Sequence, residues 1–153
     1  MDIDLTFIDI EDRMHLTITS ELKANSWWLS RRLLIRLLNV WTEKLEQIAL
    51  PDIPGIFDAA HRNMAYEHNL ALEFDGPKPK SNPTISNRQG ELLTAIDLTV
   101  SSIQTRLTLR GANKEMTLSL SRRETHAFIE MLFLKSKSAG WLKIVKYPIW
   151  LDK

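Results

Sequence analysis

The chain has 153 residues, which is long enough to bury one core, so we expect a single domain over residues 1–153. With 44% hydrophobic and 25% charged residues, its composition is typical of globular proteins and argues against disorder of the whole chain. The absence of cysteine excludes disulfides and thiolate chemistry. No apolar run is long enough to span a bilayer, and the acidic first residues do not resemble an export signal, so we expect a cytoplasmic protein.

The net charge of +1 hides an uneven distribution of charge along the chain. Residues 1–75 carry 7 basic and 13 acidic side chains, whereas residues 76–153 carry 13 basic and 6 acidic ones. This asymmetry can steer an anionic partner to the C-terminal half, or it can bring the two halves of one or two molecules together. The third interpretation, charges scattered over solvated faces, stays open.

The first third of the chain contains the pattern of two strands followed by a helix. Apolar residues alternate with polar ones over residues 3–7 and 13–19, which predicts two antiparallel strands joined by a turn. Asn25 or Ser26 then provides a cap for an amphipathic helix that we expect to end at about Ala49, before a proline.

The middle of the chain is less regular. We predict a short helix from Asp58 to Tyr66, a strand over Asn69–Asp75 and a loop over Gly76–Asn87, which is rich in Pro, Lys, Ser and Asn. Because the loop separates two similar patterns, it is the natural boundary between them.

The last part of the chain alternates again and ends in a second helix. The predicted strands are Leu92–Val100, Ile103–Arg110 and Glu115–Ser121. Ser121 and Glu124 have the spacing of a capping box for a helix that reaches about Lys137, with Gly140 as its terminator. Leu142–Trp150 predicts a final strand, which Pro148 restricts to a sheet edge.

These patterns predict an α+β fold with an internal repeat. The repeated strand–strand–helix units cover residues 2–50 and 90–138 and are joined by residues 51–89. We expect a largely antiparallel sheet with two long amphipathic helices on one face.

The sequence contains no recognisable motif for catalysis or for a cofactor. His61 and His68 lie seven residues apart, but a metal site needs three or four converging ligands, so we predict surface or hydrogen-bonded histidines and no metal. Neither a phosphate-binding loop nor a glycine-flanked nucleophile is present. We therefore expect a protein without catalytic residues or cofactors. An enzyme with a pocket between the helices and the loop over Gly76–Asn87 is the less favoured alternative.

A basic surface is the first candidate for binding. On the strand Ile103–Arg110 we expect Ile103, Thr105, Leu107 and Leu109 to face the core. The opposite face and its surroundings would then gather five basic side chains: Arg106, Arg110, Lys114, Arg122 and Arg123. Such a face can bind the phosphate backbone of a single-stranded nucleic acid, although it lacks the aromatic residues on which bases stack. A solvated outer sheet face is the alternative.

The segment Met116–Leu134, a strand that leads directly into a capped amphipathic helix, resembles the end of the repeated unit in PUR-type and Whirly-like single-strand-binding modules. The resemblance covers one unit and concerns topology. It implies an expectation of single-stranded DNA or RNA as a partner.

Apolar residues beside polar helix faces are the second candidate for binding. Trp28 and Ile35 flank the polar face of the first predicted helix, and Phe133 lies beside a polar stripe that includes His126 and Glu130. Exposed aromatic residues near charged ones are common anchors of protein interfaces, and an exposed sheet edge allows association by strand addition. We therefore predict a non-catalytic protein-interaction module that forms a homodimer or binds a protein partner. The alternative is that these side chains are covered by the chain itself.

Overall fold

The structure is a computed structural model that describes residues 1–21, 23–49, 57–75 and 89–152. For residues 49, 57–63, 74 and 75 it describes the backbone alone. The loop predicted over residues 76–87 lies outside the described residues.

The described residues form seven strands and three helices, which confirms the α+β class. The strands are β1 (Asp2–Ile8), β2 (Arg13–Ser20), β3 (Lys23–Ser30), β4 (Glu91–Leu92), β5 (Ala95–Val100), β6 (Gln104–Arg110) and β7 (Glu115–Ser121). The helices are α1 (Arg31–Ala49), α2 (Phe57–Asp75) and α3 (Arg122–Ser138), and short 3₁₀ turns occupy Asp9–Glu11 and Ile149–Leu151. Among these described helices, none has the length and apolar character needed to cross a membrane.

The strands form two sheets, in the orders β1-β2-β3-β4 and β5-β6-β7. All pairs are antiparallel except β3 with β4, which is parallel. Two consecutive residues join the sheets: Leu93 N–H donates to Trp28 O at 2.9 Å, and Thr94 N–H donates to Arg110 O at 2.8 Å. The backbone after β4 therefore changes its hydrogen-bond partner from β3 to β6 between these two residues.

Each sheet buries one face because apolar side chains alternate with polar ones along its strands. In the first sheet Leu5, Leu16 and Trp27 lie side by side on the inner face, and all three are buried. In β6 the predicted inner residues Thr105, Leu107 and Leu109 are buried. The prediction for Ile103 is wrong, because this residue precedes β6 in a turn and 73% of its surface is exposed.

The predicted start of the first helix is wrong by several residues. Residues 23–30 form β3, which pairs with β2 in a register that places Trp28 opposite His15, and α1 begins at Arg31. Pairing puts Trp27 and Leu29 on the buried face beside β2. This burial outweighs the capping signal of Asn25 and Ser26, because a cap contributes only about 1 kcal/mol and a buried aromatic side chain more.

Two predicted strands are also absent from the described residues. The segment Asn69–Asp75 belongs to α2, in which the buried residues Met64, His68 and Ala71 recur at helical spacing. The segment Leu142–Trp150 contains turns, and Trp150 lies in the final 3₁₀ turn. Too few residues separate α3 from the C-terminal turn for periodicity to distinguish a strand from a tightly turned segment.

The predicted boundaries of the last helix are confirmed. The Ser121 hydroxyl accepts from Glu124 N–H at 3.1 Å, and the Glu124 carboxylate accepts from Ser121 N–H at 3.0 Å, which completes the capping box. Gly140 follows α3 with a φ of 76°, a left-handed conformation that glycine adopts without strain.

The helices pack on a core that includes residues from both sheets. α1 contacts β3 and β5, and α3 contacts β1, β6 and β7. Both helices follow three antiparallel strands along the chain, but the first sheet has a fourth strand and α1 is followed by α2. The internal repeat and the placement of two helices on one face therefore remain predictions.

A buried hydroxyl joins β6 to both α1 and α3. Thr105 accepts hydrogen bonds from Trp41 Nε1 at 3.3 Å and from the Thr125 hydroxyl at 3.1 Å. All three side chains are fully buried. A buried donor without a partner costs about 1–3 kcal/mol, so this junction constrains how the two helices meet the sheet.

We predict that Thr105→Val, which keeps the shape but removes the acceptor, lowers the free energy of unfolding by about 1–3 kcal/mol. Urea denaturation followed by circular dichroism measures the change. The control is Thr108→Val on the outer face of the same strand, for which we expect a change within about 0.5 kcal/mol. Equal effects of the two substitutions would contradict the assignment.

Candidate functional site

The predicted interface residues are covered by the chain itself to different degrees. Trp28 lies on the outer face of the first sheet, where the Arg13 guanidinium stacks 3.8 Å from its ring centroid, and only 8% of its surface is exposed. Phe133 is buried against Tyr147, with ring centroids 5.0 Å apart. Ile35 is partly buried against the core. An interface through Trp28 or Phe133 would require these internal contacts to open.

The five residues of the predicted basic surface are not gathered on one open face. Arg106 and Arg110 lie exposed on the outer face of β6, as predicted, and Arg110 forms an ion pair with Asp97 of the neighbouring strand. Lys114 instead donates from Nζ to Ser26 O at 2.9 Å and lies 4.3 Å from the Trp27 ring centroid. This side chain therefore fastens the β6–β7 turn to the first sheet.

Arg122 and Arg123 lie at the start of α3, where Arg122 binds both oxygens of Glu67 at 2.8 and 2.9 Å. On the outer face of the β5–β7 sheet, Asp97 and Glu115 balance Arg106 and Arg110. The face is consequently neutral, which weakens its electrostatic attraction for phosphates.

One edge of β5 has backbone groups that do not bond to another strand among the described residues. β5 pairs with β6 on one side and has no strand partner on the other among the described residues. Ser101 N–H donates to Gln104 O at 2.9 Å, and bonded positions alternate along an antiparallel pair. The main-chain groups of Ile96 and Leu98 therefore point away from β6.

An apolar groove runs along this free edge. Its helix side is formed by Leu33, Leu37 and Val40, which recur at helical spacing on α1, and its strand side by Ile96 and Leu98. The cavity has a volume of about 400 Å³, which lies within the range of ligand sites in proteins. A second depression of about 300 Å³ continues past Leu33 toward the start of α1, so the groove extends along most of the helix.

The rim of the groove carries more basic than acidic side chains, because the acidic residue that lines it, Asp97, is paired with Arg110. Arg36 and Lys44 line the larger cavity, and Arg32 lines its continuation. No ion pair joins these three side chains to an acidic residue in the described part of the chain. The α1–β5 groove, meaning the cavity and its continuation, thus combines an apolar floor, free backbone groups and unneutralised positive charge.

A cluster of ionisable side chains lies between α2 and α3. His68 Nε2 lies 2.7 Å from Glu130 Oε2, and His68 Nδ1 lies 2.8 Å from His126 Nδ1. His126 Nε2 lies 3.1 Å from Glu67 Oε1, but this contact is not aligned as a hydrogen bond. Trp150 covers the two histidine rings and donates from Nε1 to Glu46 at 2.8 Å. We call His68, His126, Glu67 and Glu130 the histidine cluster.

Burial and charge shift two ionisable groups of the histidine cluster. Burial lowers the pKa of His126, and the nearby Glu67 carboxylate offsets this only in part. The pKa of Glu67 is lowered most by His126 when its Nε2 carries a hydrogen, burial opposes this shift, and the positive charge of Arg122 lowers the pKa further. His126 is therefore neutral and Glu67 ionised near neutral pH.

The sequence contained a partial signal for the histidine cluster. Arg122, His126 and Glu130 recur every four residues and so lie on one side of α3. The sequence predicts a polar stripe, but His126 and Glu130 within it are buried because α2 covers them. The contact between His68 of α2 and His126 of α3 could not be predicted from local sequence patterns, because the two residues are 58 positions apart in the chain.

No group of three or more potential metal ligands converges among the described residues. His68 is occupied by its bonds to His126 and Glu130. The side chain of His61, the other histidine of the predicted pair, lies outside the described part of the structure.

We predict that Arg106→Ala combined with Arg110→Ala changes the affinity for a single-stranded oligonucleotide by less than about twofold, because the surrounding face is neutral. Fluorescence anisotropy with labelled DNA and RNA, at low and moderate salt, measures this. A large loss of affinity and a flatter salt dependence in the variant would instead support the nucleic-acid alternative.

We predict that acidification destabilises the protein through His126. Its pKa in the folded state is below the ordinary value of 6.5, so the unfolded chain binds the proton more readily. The stabilising contribution is thus present above pH 6.5 and is lost as pH falls through the folded-state pKa of His126. Urea denaturation across this range should show a smaller loss of stability in His126→Gln than in the wild type, and a parallel loss in both proteins would contradict the assignment.

Comparisons with known proteins do not identify a relative. No protein-family model matches the chain, and neither the curated proteins nor the solved structures contain a significant match. The geometry of the α1–β5 groove and of the histidine cluster is therefore the basis for a functional hypothesis.

Proposed function

We propose that this protein is a non-catalytic protein-interaction module that binds an extended, acidic segment in the α1–β5 groove. The observation that supports this most is the unpaired edge of β5 beside the apolar side of α1. A segment added to this edge would bond to the main chain of Ile96 and Leu98, and every second side chain would point to the groove floor.

The apolar floor favours a partner with β-branched or aliphatic residues at alternate positions. Leu33, Val40, Ile96 and Leu98 are only partly buried, so an added strand can remove more of their apolar surface from water. Each buried methylene contributes about 0.8 kcal/mol, and the main-chain bonds fix the direction of the segment.

The charge of the rim favours carboxylates in the partner. Arg32, Arg36 and Lys44 are not neutralised within the described structure. Opposite charges at the rim of an interface accelerate association and select among partners, although each exposed pair adds little affinity.

Self-association is part of this proposal. β1 is also an edge strand, and its sequence includes Asp2 and Asp4 among alternating apolar residues. A second copy can therefore supply an acidic, extended edge of the kind that the groove favours. This route to a homodimer does not require Trp28 or Phe133 to leave the protein interior.

We predict that alternating peptides of about ten residues bind when their polar positions are Asp or Glu and bind more weakly when these are Lys. Arg36→Glu combined with Lys44→Glu should weaken binding of the acidic peptides about tenfold, measured by fluorescence anisotropy. The control is Arg106→Glu combined with Lys143→Glu, the same charge change on exposed residues outside the groove. Equal losses in both double variants would show that net charge rather than the groove is responsible.

Hydrogen exchange distinguishes strand addition from simple surface contact. The amides of Ile96 and Leu98 should become protected when an acidic peptide is bound, because they would donate to the added strand. Sedimentation of the protein alone measures self-association in the same variants. Protection confined to other strands, or the absence of binding by every peptide together with a monomeric protein, would overturn the proposal.

A further inference from the structure

The histidine cluster has more contacts than its histidines have hydrogens. Three contacts join Glu130 to His68, His68 to His126, and His126 to Glu67. Each contact needs one hydrogen between its two heavy atoms, and two neutral imidazoles supply only two. The contacts of 2.7 and 2.8 Å are aligned as hydrogen bonds, whereas the contact of 3.1 Å is not.

This count determines which ring nitrogens carry the hydrogens. The two hydrogens belong in the two aligned contacts, so we place one on His68 Nε2, which donates to Glu130 Oε2. His68 Nδ1 is then an acceptor and receives the hydrogen of His126 Nδ1. His126 Nε2 is left as a bare acceptor that faces a second acceptor, Glu67 Oε1.

The charges around the cluster leave room for one further positive charge. Glu67 comes from α2 and Glu130 from α3, and Arg122 is the cation bonded to Glu67. The cluster therefore contains two acidic side chains and is bonded to one basic side chain, Arg122. Arg123 lines the cavity next to His126. On α1, Glu46 accepts a hydrogen bond from Trp150 Nε1.

We propose that the histidine cluster is a binding site for a single proton, located between His126 Nε2 and Glu67 Oε1. The incoming proton bonds to Nε2 and faces Glu67 Oε1, so the 3.1 Å contact then joins a cationic ring to a carboxylate. A second proton has no place, because protonating His68 Nδ1 as well would set two N–H groups against each other at 2.8 Å.

The surroundings agree with this assignment. A cavity of about 130 Å³ reaches His126 and Glu67 between Leu70, Ala71 and Arg123, which gives the site a path to solvent. Burial lowers the pKa of His126, so uptake occurs below the usual range of histidine. Because Glu67 lies on α2 and His126 on α3, the proton makes the contact between these helices sensitive to pH.

NMR of the histidine ring nitrogens in the folded full chain, from about pH 7.5 to about pH 5, tests the proposal. At the upper end we expect hydrogens on His68 Nε2 and His126 Nδ1, with His126 Nε2 bare. Acidification should produce one shared transition in both rings, in which His126 Nε2 gains a hydrogen. A spectrum with His126 Nε2 already protonated, or two separate protonations in the folded protein, would overturn the assignment.

Glu67→Gln provides the matched variant, because it removes the negative charge and keeps the size of the side chain. We expect the shared transition to move to lower pH by about one unit, since an opposite charge nearby favours the protonated ring. The control is Glu73→Gln, an exposed residue of the same helix, for which no shift is expected. Circular dichroism verifies that both variants are folded, and an unchanged midpoint in Glu67→Gln would sink the proposed location of the proton.

Discussion

The candidate binding surface depends on two adjacent residues whose backbone hydrogen bonds link β3 of one sheet to β6 of the other. Leu93 and Thr94 are adjacent in the chain, yet their N–H groups bond to strands of different sheets. Because β5 pairs with β6 from this point onward, it does not pair with β3, and among the described residues its other edge has no strand partner. α1 begins at the end of β3 and lies beside that edge, so a groove forms between helix and strand.

The Thr105 junction and the histidine cluster both place polar groups in the protein interior, but they satisfy these groups in different ways. The Thr105 hydroxyl satisfies two neutral donors and needs no change of protonation, which suits a purely structural junction. The histidine cluster instead contains three buried ionisable side chains, His68, His126 and Glu130, beside the partly exposed Glu67, and buried ionisable groups are costly unless each has a partner. Its bonds to Arg122 and between the rings reduce this cost, but the remaining contact between His126 Nε2 and Glu67 is not aligned as a hydrogen bond.

Local patterns predicted the parts of the fold that local physics controls. Alternation identified β1, β2, β6 and β7, and the capping box of Ser121 and Glu124 gave the start of α3. The same reasoning failed for two segments. Residues 25–30 were predicted to begin a helix but lie in β3, and residues 69–75 were predicted to form a strand but lie in α2. In the first segment burial of Trp27 against β2 decided for a strand, and in the second the contact of α2 with α3 decided for a helix. Neither contact is visible within a short window of sequence.

The sequence by itself determined the α+β class, the alternation of buried and exposed residues in most strands and the end points of α3, because these depend on neighbours within a few residues. It also determined that Arg122, His126 and Glu130 share one side of a helix. Only the tertiary structure decided that this side is buried against α2, that Lys114 contacts the first sheet, and that one edge of β5 has no strand partner in the described part of the chain. These features arise from contacts between residues far apart in the chain, whose distances no local periodicity specifies.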